Sequence, residues 1–449
     1  ITVYMKNLII TLCTCAQLMA ANAQTSTDTP WTLEKCISHA LEHNITVRQQ
    51  QNTVRQQQIQ LDDNRGNHLP VVDASVGQNF SFGRGLTAQN TYENTNTSST
   101  SFSIGASVPI FSGNKIVNSV KLAQLNLDAS LADLDKARED ISMQVAKAYV
   151  QILYDMEVAD VARRQIAIDS MQTARLQAMM RSGKASQAEV SQQNAQLAQS
   201  RLTATEADNN CRLSLLALSQ LLELPTPEGF SIQRPDVASL SLSSSLPPLP
   251  DVVYAEALGL KPQIKAEQLR LSASEYSIRI ARGDYMPTLS LNGGLGTNYY
   301  KTSGFDADAF GTQLKNNFSQ YLGVNLSIPI FNHFATRNKI RMAKLDRDNQ
   351  TLRLEDTRKT LYKEIQQVYY AAIAAHARLC SCSEALRSGE DAFELTKSKY
   401  ENGKATITEF NEQKNNMLKA QSDMIQAKYE YLYQTSLLDF YRGRKLDLR

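Results

Sequence analysis

The chain describes one structural unit twice. Ser107-Val-Pro-Ile-Phe-Ser-Gly-Asn-Lys-Ile116 returns 220 residues later as Ser327-Ile-Pro-Ile-Phe-Asn-His-Phe-Ala-Thr336, and Ser182-Gly-Lys-Ala-Ser186 returns at the same offset as Asn402-Gly-Lys-Ala-Thr406. An earlier pair, His68-Leu-Pro70 and Tyr285-Met-Pro287, is offset by 217, so the second copy has gained three residues between its two prolines. A constant offset on both sides of one small insertion marks duplication of a whole structural unit rather than a recurring short motif. Any fold for this chain must therefore be built from two similar halves.

Composition narrows the class of those halves. Gly and Pro are sparse, at 19 and 12 in 449 residues, while Ala, Gln, Leu and Ser abound, which favours long helices over compact α/β units. A net charge of +2 leaves no electrostatic footprint for nucleic acid. Residues 1–23 read as a secretory signal: an apolar run from Leu8 to Ala20 follows Lys6, is too short to span a bilayer and ends in Ala21-Asn-Ala23. Beyond it stand only Cys36, Cys211, Cys380 and Cys382, too few to staple a chain of this size in an oxidising compartment. Cys380 and Cys382, two apart on a helix, point in different directions and read as packing residues.

Within each copy the hydrophobic period changes in order. A helical pattern runs from Trp31 to about Asn67 and stops before Pro70. Val72, Ala74, Val76, Phe80 and Phe82 then alternate with Asp73, Ser75, Gly77, Asn79 and Ser81, and Phe102, Ile104, Ala106, Val108 and Ile110 alternate with Ser101, Ser103, Gly105 and Ser107. Such alternation predicts two strands with one apolar and one polar face, forming a hairpin over about 70–111 around a polar loop from Arg84 to Ser99. The second copy repeats it over about 288–331, with Leu289, Leu291 and Leu295, then Phe318, Leu322, Val324, Leu326, Ile328 and Ile330, around a loop from Lys301 to Asn317. A soluble sheet packed on a helix is one reading. A membrane barrel accounts better for strands of this length with long polar loops on one side. Membrane strands tolerate no open edge, and four are too few to close, since such barrels begin at about eight strands. Several chains must then share one barrel.

After each hairpin comes a helical stretch of unusual length, Gly113 to Arg181 and Phe331 to Glu401. Val120, Leu127, Leu134, Ile141 and Ala148 form a column at seven-residue spacing, the period of helices wound around neighbours. At 1.5 Å per residue each stretch makes a rod of about 100 Å. The flanking helices, Trp31 to Gly66 and Ser186 to Glu223, are about half as long. The rods turn at Gly183 and Gly403, each able to take the left-handed conformation that ends a helix. Ser186-x-x-Glu189 and Thr406-x-x-Glu409 are capping boxes that start the next one. Pro225 to Pro250, rich in Ser, Leu and Pro, reads as a connector.

Catalytic signals are thin. His39-Ala-Leu-Glu42-His43 spells a zinc-peptidase pattern, but its counterpart, Glu256-Ala-Leu-Gly-Leu260, has no histidine, and His68, His333 and His376 are scattered. No phosphate loop or nucleophile elbow is present, so no cofactor is implied.

The duplicated series of hairpin, Val/Ile-Pro-Ile-Phe strand end, long rod and Gly-centred tip resembles the TolC-like outer-membrane efflux family, over nearly the whole chain after residue 23. The resemblance implies a mainly α fold with membrane β: two repeats of helix, β-hairpin, long helix and helix, 24–224 and 251–442, joined by a connector, 225–250, with a tail at 443–449. It implies a homotrimer in which three four-stranded contributions close a twelve-stranded barrel continuous with a periplasmic α-helical barrel. Its expected partners are outer-membrane lipid, a periplasmic adaptor (membrane fusion) protein and an inner-membrane pump of RND or ABC type. The implied function is a passive exit duct for small molecules. A duct for secreted protein and, from another class, a periplasm-spanning structural coiled coil are the alternatives. Arg181, Ser182, Gly183, Lys184, Ala185 and Ser186 would face the adaptor together with Asn402, Gly403, Lys404, Ala405 and Thr406. Glu409 and Glu412, six and nine after the second tip glycine, would ring the pore entrance, although Glu409 is also a cap and Glu412 equally a solvated surface residue. Tyr400 would bond Glu189 as a gate contact. Ala405 stands where family members carry an arginine that ties neighbouring chains.

Overall fold

The computed structural model describes residues 30–86, 90–94, 96–225, 229–234 and 247–446. The segment 1–23 expected to be a signal and most of the expected connector lie outside them. The first copy comprises α1 (Leu33–His43), α2 (Ile45–Gly66), β1 (Val71–Ser81), β2 (Arg84–Leu86), β3 (Tyr92–Asn94), β4 (Thr97–Ser112), α3 (Lys115–Arg181) and α4 (Gln187–Leu221). The second comprises α5 (Pro250–Leu260), α6 (Pro262–Gly283), β5 (Thr288–Thr302), α7 (Phe310–Asn316), β6 (Ser319–Ser327), α8 (Ala335–Glu401) and α9 (Ile407–Tyr441). Corresponding helices have the same lengths: 11 residues for α1 and α5, 22 for α2 and α6, 67 for α3 and α8, and 35 for α4 and α9.

Two expected boundaries shift. The helical pattern from Trp31 is two helices, because Asn44 breaks it: its Oδ1 accepts from Thr46 N–H at 2.9 Å and its Nδ2 donates to the Leu221 carbonyl at 3.0 Å. A side chain that offers the backbone its own partner competes with the helix ladder. The last expected strand stops at Ser327, before Pro329, whereas β4 runs past the equivalent Pro109 to Ser112 by shifting register between Pro109 and Phe111.

The chain divides into two compact units. One contains Gln49–Lys136 and Lys261–Thr360, the other Ile1–Arg48, Ala137–Leu260 and Leu361–Arg449. The first holds an antiparallel sheet in the order β1-β4-β5-β6. Its register places Val72 opposite Ala106, Ile104 opposite Leu295 and Leu291 opposite Val324 on one face. The other face carries Ser75 bonded to Ser103 and Ser107 bonded to Asn292, both at 2.7 Å. Among the described residues β1 and β6 each have a strand on one side only. The loop between the second pair of strands is not wholly irregular. β6 begins opposite Gly296, whereas β5 runs on to Thr302, and α7 covers the difference. The Gln313 amide accepts from Tyr300 N–H at 2.9 Å and donates to its carbonyl at 3.1 Å, as a neighbouring strand would. The loop expected from Arg84 likewise contains a short hairpin, β2 with β3.

Candidate functional site at the helical tips

Both tips are built by the same local chemistry. At the end of α3, Lys184 N–H donates to the Met179 carbonyl at 2.8 Å and Gly183 N–H to Met180 at 3.0 Å, while Gly183 has φ +73°. At the end of α8, Lys404 N–H donates to Lys399 at 2.8 Å, Gly403 N–H to Tyr400 at 3.1 Å, and Gly403 has φ +71°. This nested pair of bonds around a left-handed residue closes a helix by giving its last carbonyls donors. The next helices open on reciprocal caps. Ser186 Oγ accepts from Glu189 N–H at 3.2 Å while Glu189 Oε2 accepts from Ser186 N–H at 2.6 Å. Thr406 Oγ1 and Glu409 Oε2 do the same at 3.2 and 2.8 Å. Bonds from the cap backbone and hydroxyl hold the Glu189 and Glu409 carboxyls below their usual range.

Leu176, Val190, Phe393, Ile407 and Phe410 join the two hairpins in one apolar cluster, with Met180, Ala185 and Tyr400 against it. The Tyr400 ring lies 5.1 Å from that of Phe410. Burial raises the Tyr400 phenol pKa, Arg175 opposes this and the Glu189 charge adds to it. Glu189 is thus close enough to be felt, but its carboxylate serves Ser186, and no hydrogen bond joins it to Tyr400 here. Glu409 and Glu412 stand exposed on α9, away from the buried Ile407 and Phe410. Arg181, Ser182, Gly183, Lys184, Asn402, Gly403 and Lys404 are exposed around them, and Ala185 and Ala405 are half-buried.

Below the tips lies a charged cluster. Asp169 on α3 and Lys414 on α9 are both fully buried, with Nζ 2.5 Å from Oδ1. Ser200 Oγ donates to Asp169 Oδ2 at 2.5 Å, Gln165 Nε2 to the same oxygen at 2.9 Å, and Gln193 Nε2 to Oδ1 at 3.4 Å. The group ties the first hairpin to the second. A signal for it existed: the seven-residue column of α3, continued beyond Ala148, passes through Asp155, Ala162, Asp169 and Leu176.

Elsewhere the histidine pattern is a stack. The His39 and His43 rings lie 4.2 Å apart, and His43 Nδ1–H donates to the His39 carbonyl at 3.1 Å. Among the described residues no three His, Cys, Asp or Glu side chains gather as a metal set. Burial pushes the Cys36 thiol up to about 12. No described helix is long and apolar enough to cross a membrane, which says nothing of the sheet.

Comparison with known proteins agrees with this architecture. A family model described as outer membrane efflux protein matches residues 36–223 and 253–443, one block in each copy. The chain is 22% identical over 404 residues to outer membrane efflux protein BepC of Brucella suis, covering 89% of this chain and 82% of that one. It is 19% identical over 309 residues to alkaline protease secretion protein AprF of Pseudomonas aeruginosa, covering 68% and 62%. A crystal structure of a membrane protein from Pseudomonas aeruginosa superposes with a TM-score of 0.76 at 19% identity, covering 92% of both chains. The matched blocks, the duplicated hairpins and the long paired helices place this chain in the outer membrane efflux protein family, with the TolC-like fold and an outer-membrane transport role.

Proposed function

We propose that three copies of this chain form a passive exit duct, which receives small molecules from an inner-membrane pump through a periplasmic adaptor. The observation that carries this is the four-stranded sheet with one apolar face and two open edges. Unpaired backbone groups are not tolerated in hydrocarbon. Because β1 and β6 run in opposite directions, β6 of one copy beside β1 of the next continues an antiparallel barrel without a parallel seam. The face carrying Val72, Ile104 and Val324 then meets lipid, and the face carrying Asp73, Ser75 and Asn292 meets water. The same reading divides the chain into a signal, 1–23, two repeats, 24–224 and 251–442, and a connector, 225–250.

At the tips, Arg181–Ser186 and Asn402–Thr406 meet the adaptor. Six carboxylates from three copies of Glu409 and Glu412 concentrate cations at the entrance. Tyr400 and Glu189 belong to the gate, with Glu189 released from its cap when it bonds Tyr400. The chain performs no chemistry on its cargo. A second reading, export of protein, is favoured by the likeness to AprF and differs only in the pump.

The native mass of the protein extracted from outer membranes tests the proposal. Three chains per particle and ion conductance in a planar bilayer are expected; a monodisperse, non-conducting monomer would overturn it. In the conducting particle, Glu409→Gln with Glu412→Gln lowers cation preference, and unchanged selectivity removes the acidic ring.

A further inference from the structure

On the polar face of the sheet the register aligns residues of all four strands in rows. Val71, Ser107, Asn292 and Gly323 form one row, and Ser75, Ser103, Gly296 and Ser319 another. Between them lies a row of a different kind: Asp73, Gly105, Gly294 and Tyr321. Asp73 is the only charged side chain that β1, β4, β5 and β6 place on this face, which otherwise carries mostly Ser, Gly and Asn. Serines of the adjoining rows bond across strands, as Ser75 does with Ser103 and Ser107 with Asn292. Among the described residues neither the Asp73 carboxylate nor the Tyr321 hydroxyl has a hydrogen-bond or ion-pair partner.

The two glycines are where the outer side chains of this row lean inward. A Cβ added to Gly105 would lie 3.8 Å from both carboxylate oxygens of Asp73. One added to Gly294 would lie 2.8 Å from Tyr321 Cε1 and 3.0 Å from its Cζ. Glycine inside a strand marks such a close approach. Tyr321 remains 63% exposed, so its ring is open on the side away from Gly294. A carboxylate and an aromatic ring thus face each other across a floor of bare backbone. A neighbouring copy brings no countercharge, because β6 offers this face only Ser319, Tyr321, Gly323, Asn325 and Ser327, whichever of them comes to stand beside Asp73. In a ring of three such sheets equivalent carboxylates are four strands, about 19 Å, apart along the wall. That is more than twice the Debye length of about 8 Å at physiological salt, so each acts by itself.

We infer that Asp73, Tyr321 and the floor of Gly105 and Gly294 form a wall site for organic cations, an ammonium or pyridinium group carried on a flat apolar body. This rests on the exit-duct reading proposed above, in which the polar face lines a water-filled passage, and adds a class of cargo to it. The carboxylate draws the positive charge, the phenol ring offers the same charge its π face, and the absence of two Cβ atoms lets a flat body lie against the backbone. A neutral molecule of the same shape gains only the ring, and an anion is repelled. Exposed ion pairs and exposed cation–π contacts are each worth about two- to fivefold in affinity. That is enough to hold passing cations at the wall and too little to stop their exit.

Full-length Tyr321→Trp protein in lipid nanodiscs reads the site directly, with the parent, whose only tryptophan is Trp31, as background. Quenching of the introduced indole by N-benzylpyridinium is expected to saturate. Adding Asp73→Asn should weaken that binding about two- to fivefold, and a further Asn79→Asp, which returns the charge to a distant point of the same face, should not restore it. Neutral acrylamide should quench in simple proportion to its concentration throughout. Ligand-observed NMR with N-benzylpyridinium should give the same ratio between the parent and Asp73→Asn alone, where no tryptophan is introduced. Quenching by the cation that never saturates, or an affinity that Asp73→Asn leaves unchanged in either measurement, overturns the site while the indole's access to acrylamide keeps the duct reading. An indole shielded from acrylamide and quenched by nitroxide-labelled acyl chains would put this face in lipid and overturn both.

Discussion

The two helical tips are near copies of each other, but the two strand-to-helix turns are not. At the tips the glycine, the nested carbonyl bonds and the reciprocal cap recur with φ values two degrees apart, +73° and +71°. At the turns the backbone recurs, with consecutive left-handed residues in both copies, yet Gly113 and Asn114 at φ +65° and +61° are replaced by His333 and Phe334 at +53° and +61°. A tip turn is satisfied by its own chain, so both copies face the same requirement. A strand-to-helix turn packs on whatever lies beside it: Gly113 meets Gly283, whereas His333 and Phe334 are exposed. At these turns the backbone recurs in both copies, and the side chains recur only where the surroundings do too.

The buried ion pair is the strongest departure from the repeat, because the counterparts of Asp169 and Lys414 are Gly389 and Asn194. Lys414→Met leaves a buried carboxylate with no countercharge, and removal of one partner of such a pair costs about 3–5 kcal/mol. A second change, Asp169→Asn, should restore most of that loss, since exchanging the whole pair for neutral groups is often close to neutral. Denaturant unfolding of the single and double variants measures both. A single variant as stable as the parent would mean that water reaches the cluster and that the two hairpins are not locked by charge.

Glycine substitutions test the comparison next. Gly113→Ala must bear the left-handed backbone, about 1–2 kcal/mol, and also overpacking against Gly283 and Met286, about 1–3 kcal/mol more. Gly183→Ala and Gly403→Ala meet nothing within 4 Å, so they should lose only the first amount and lose it equally. If all three cost the same, the close approach at Gly113 does not constrain the turn.

Most of the framework is legible in the sequence. The repeat offsets, the change from period two to helical period and the stop and start signals at residues 181–189 and 401–409 locate the hairpins, long helices and tips. What escapes the periodic pattern is set by side chains acting locally or across helices. Asn44 breaks a helix through its own amide, although Lys261-Pro262 shows the counterpart break openly. α7 is only seven residues long, too short for a periodic signal, and is held by Gln313 standing in for a strand. Asp169, like Asp155, interrupts a column that is apolar from Val120 to Ala148, beyond the stretch whose period identifies the helix. At the candidate site the tip residues are contiguous in sequence and easy to find, whereas Lys414 is recognisable only once three helices are seen to converge on Asp169.

The smallest effects concern the caps, and they separate the two roles assigned to Glu409. Ser186→Ala and Thr406→Ala should each cost about 1 kcal/mol, as faster amide exchange in the first turns of α4 and α9. The carboxylates add a pH dependence of known sign. Glu189 and Glu409 are held below their ordinary value of 4.5 by bonds from Ser186 and Thr406, so their contribution is complete above that value. It is lost only as pH falls through the depressed folded-state value. Amide protection at both tips should therefore survive acidification to about pH 4.5 and fade below it. Cation preference governed by Glu409 should persist to the same acidity, and in Thr406→Ala it should fade at higher pH, because the carboxylate has lost the hydroxyl bond that stabilises its charge. Selectivity unaffected by that substitution would mean that Glu409 acts on its own helix alone and that the charge at the entrance comes from Glu412.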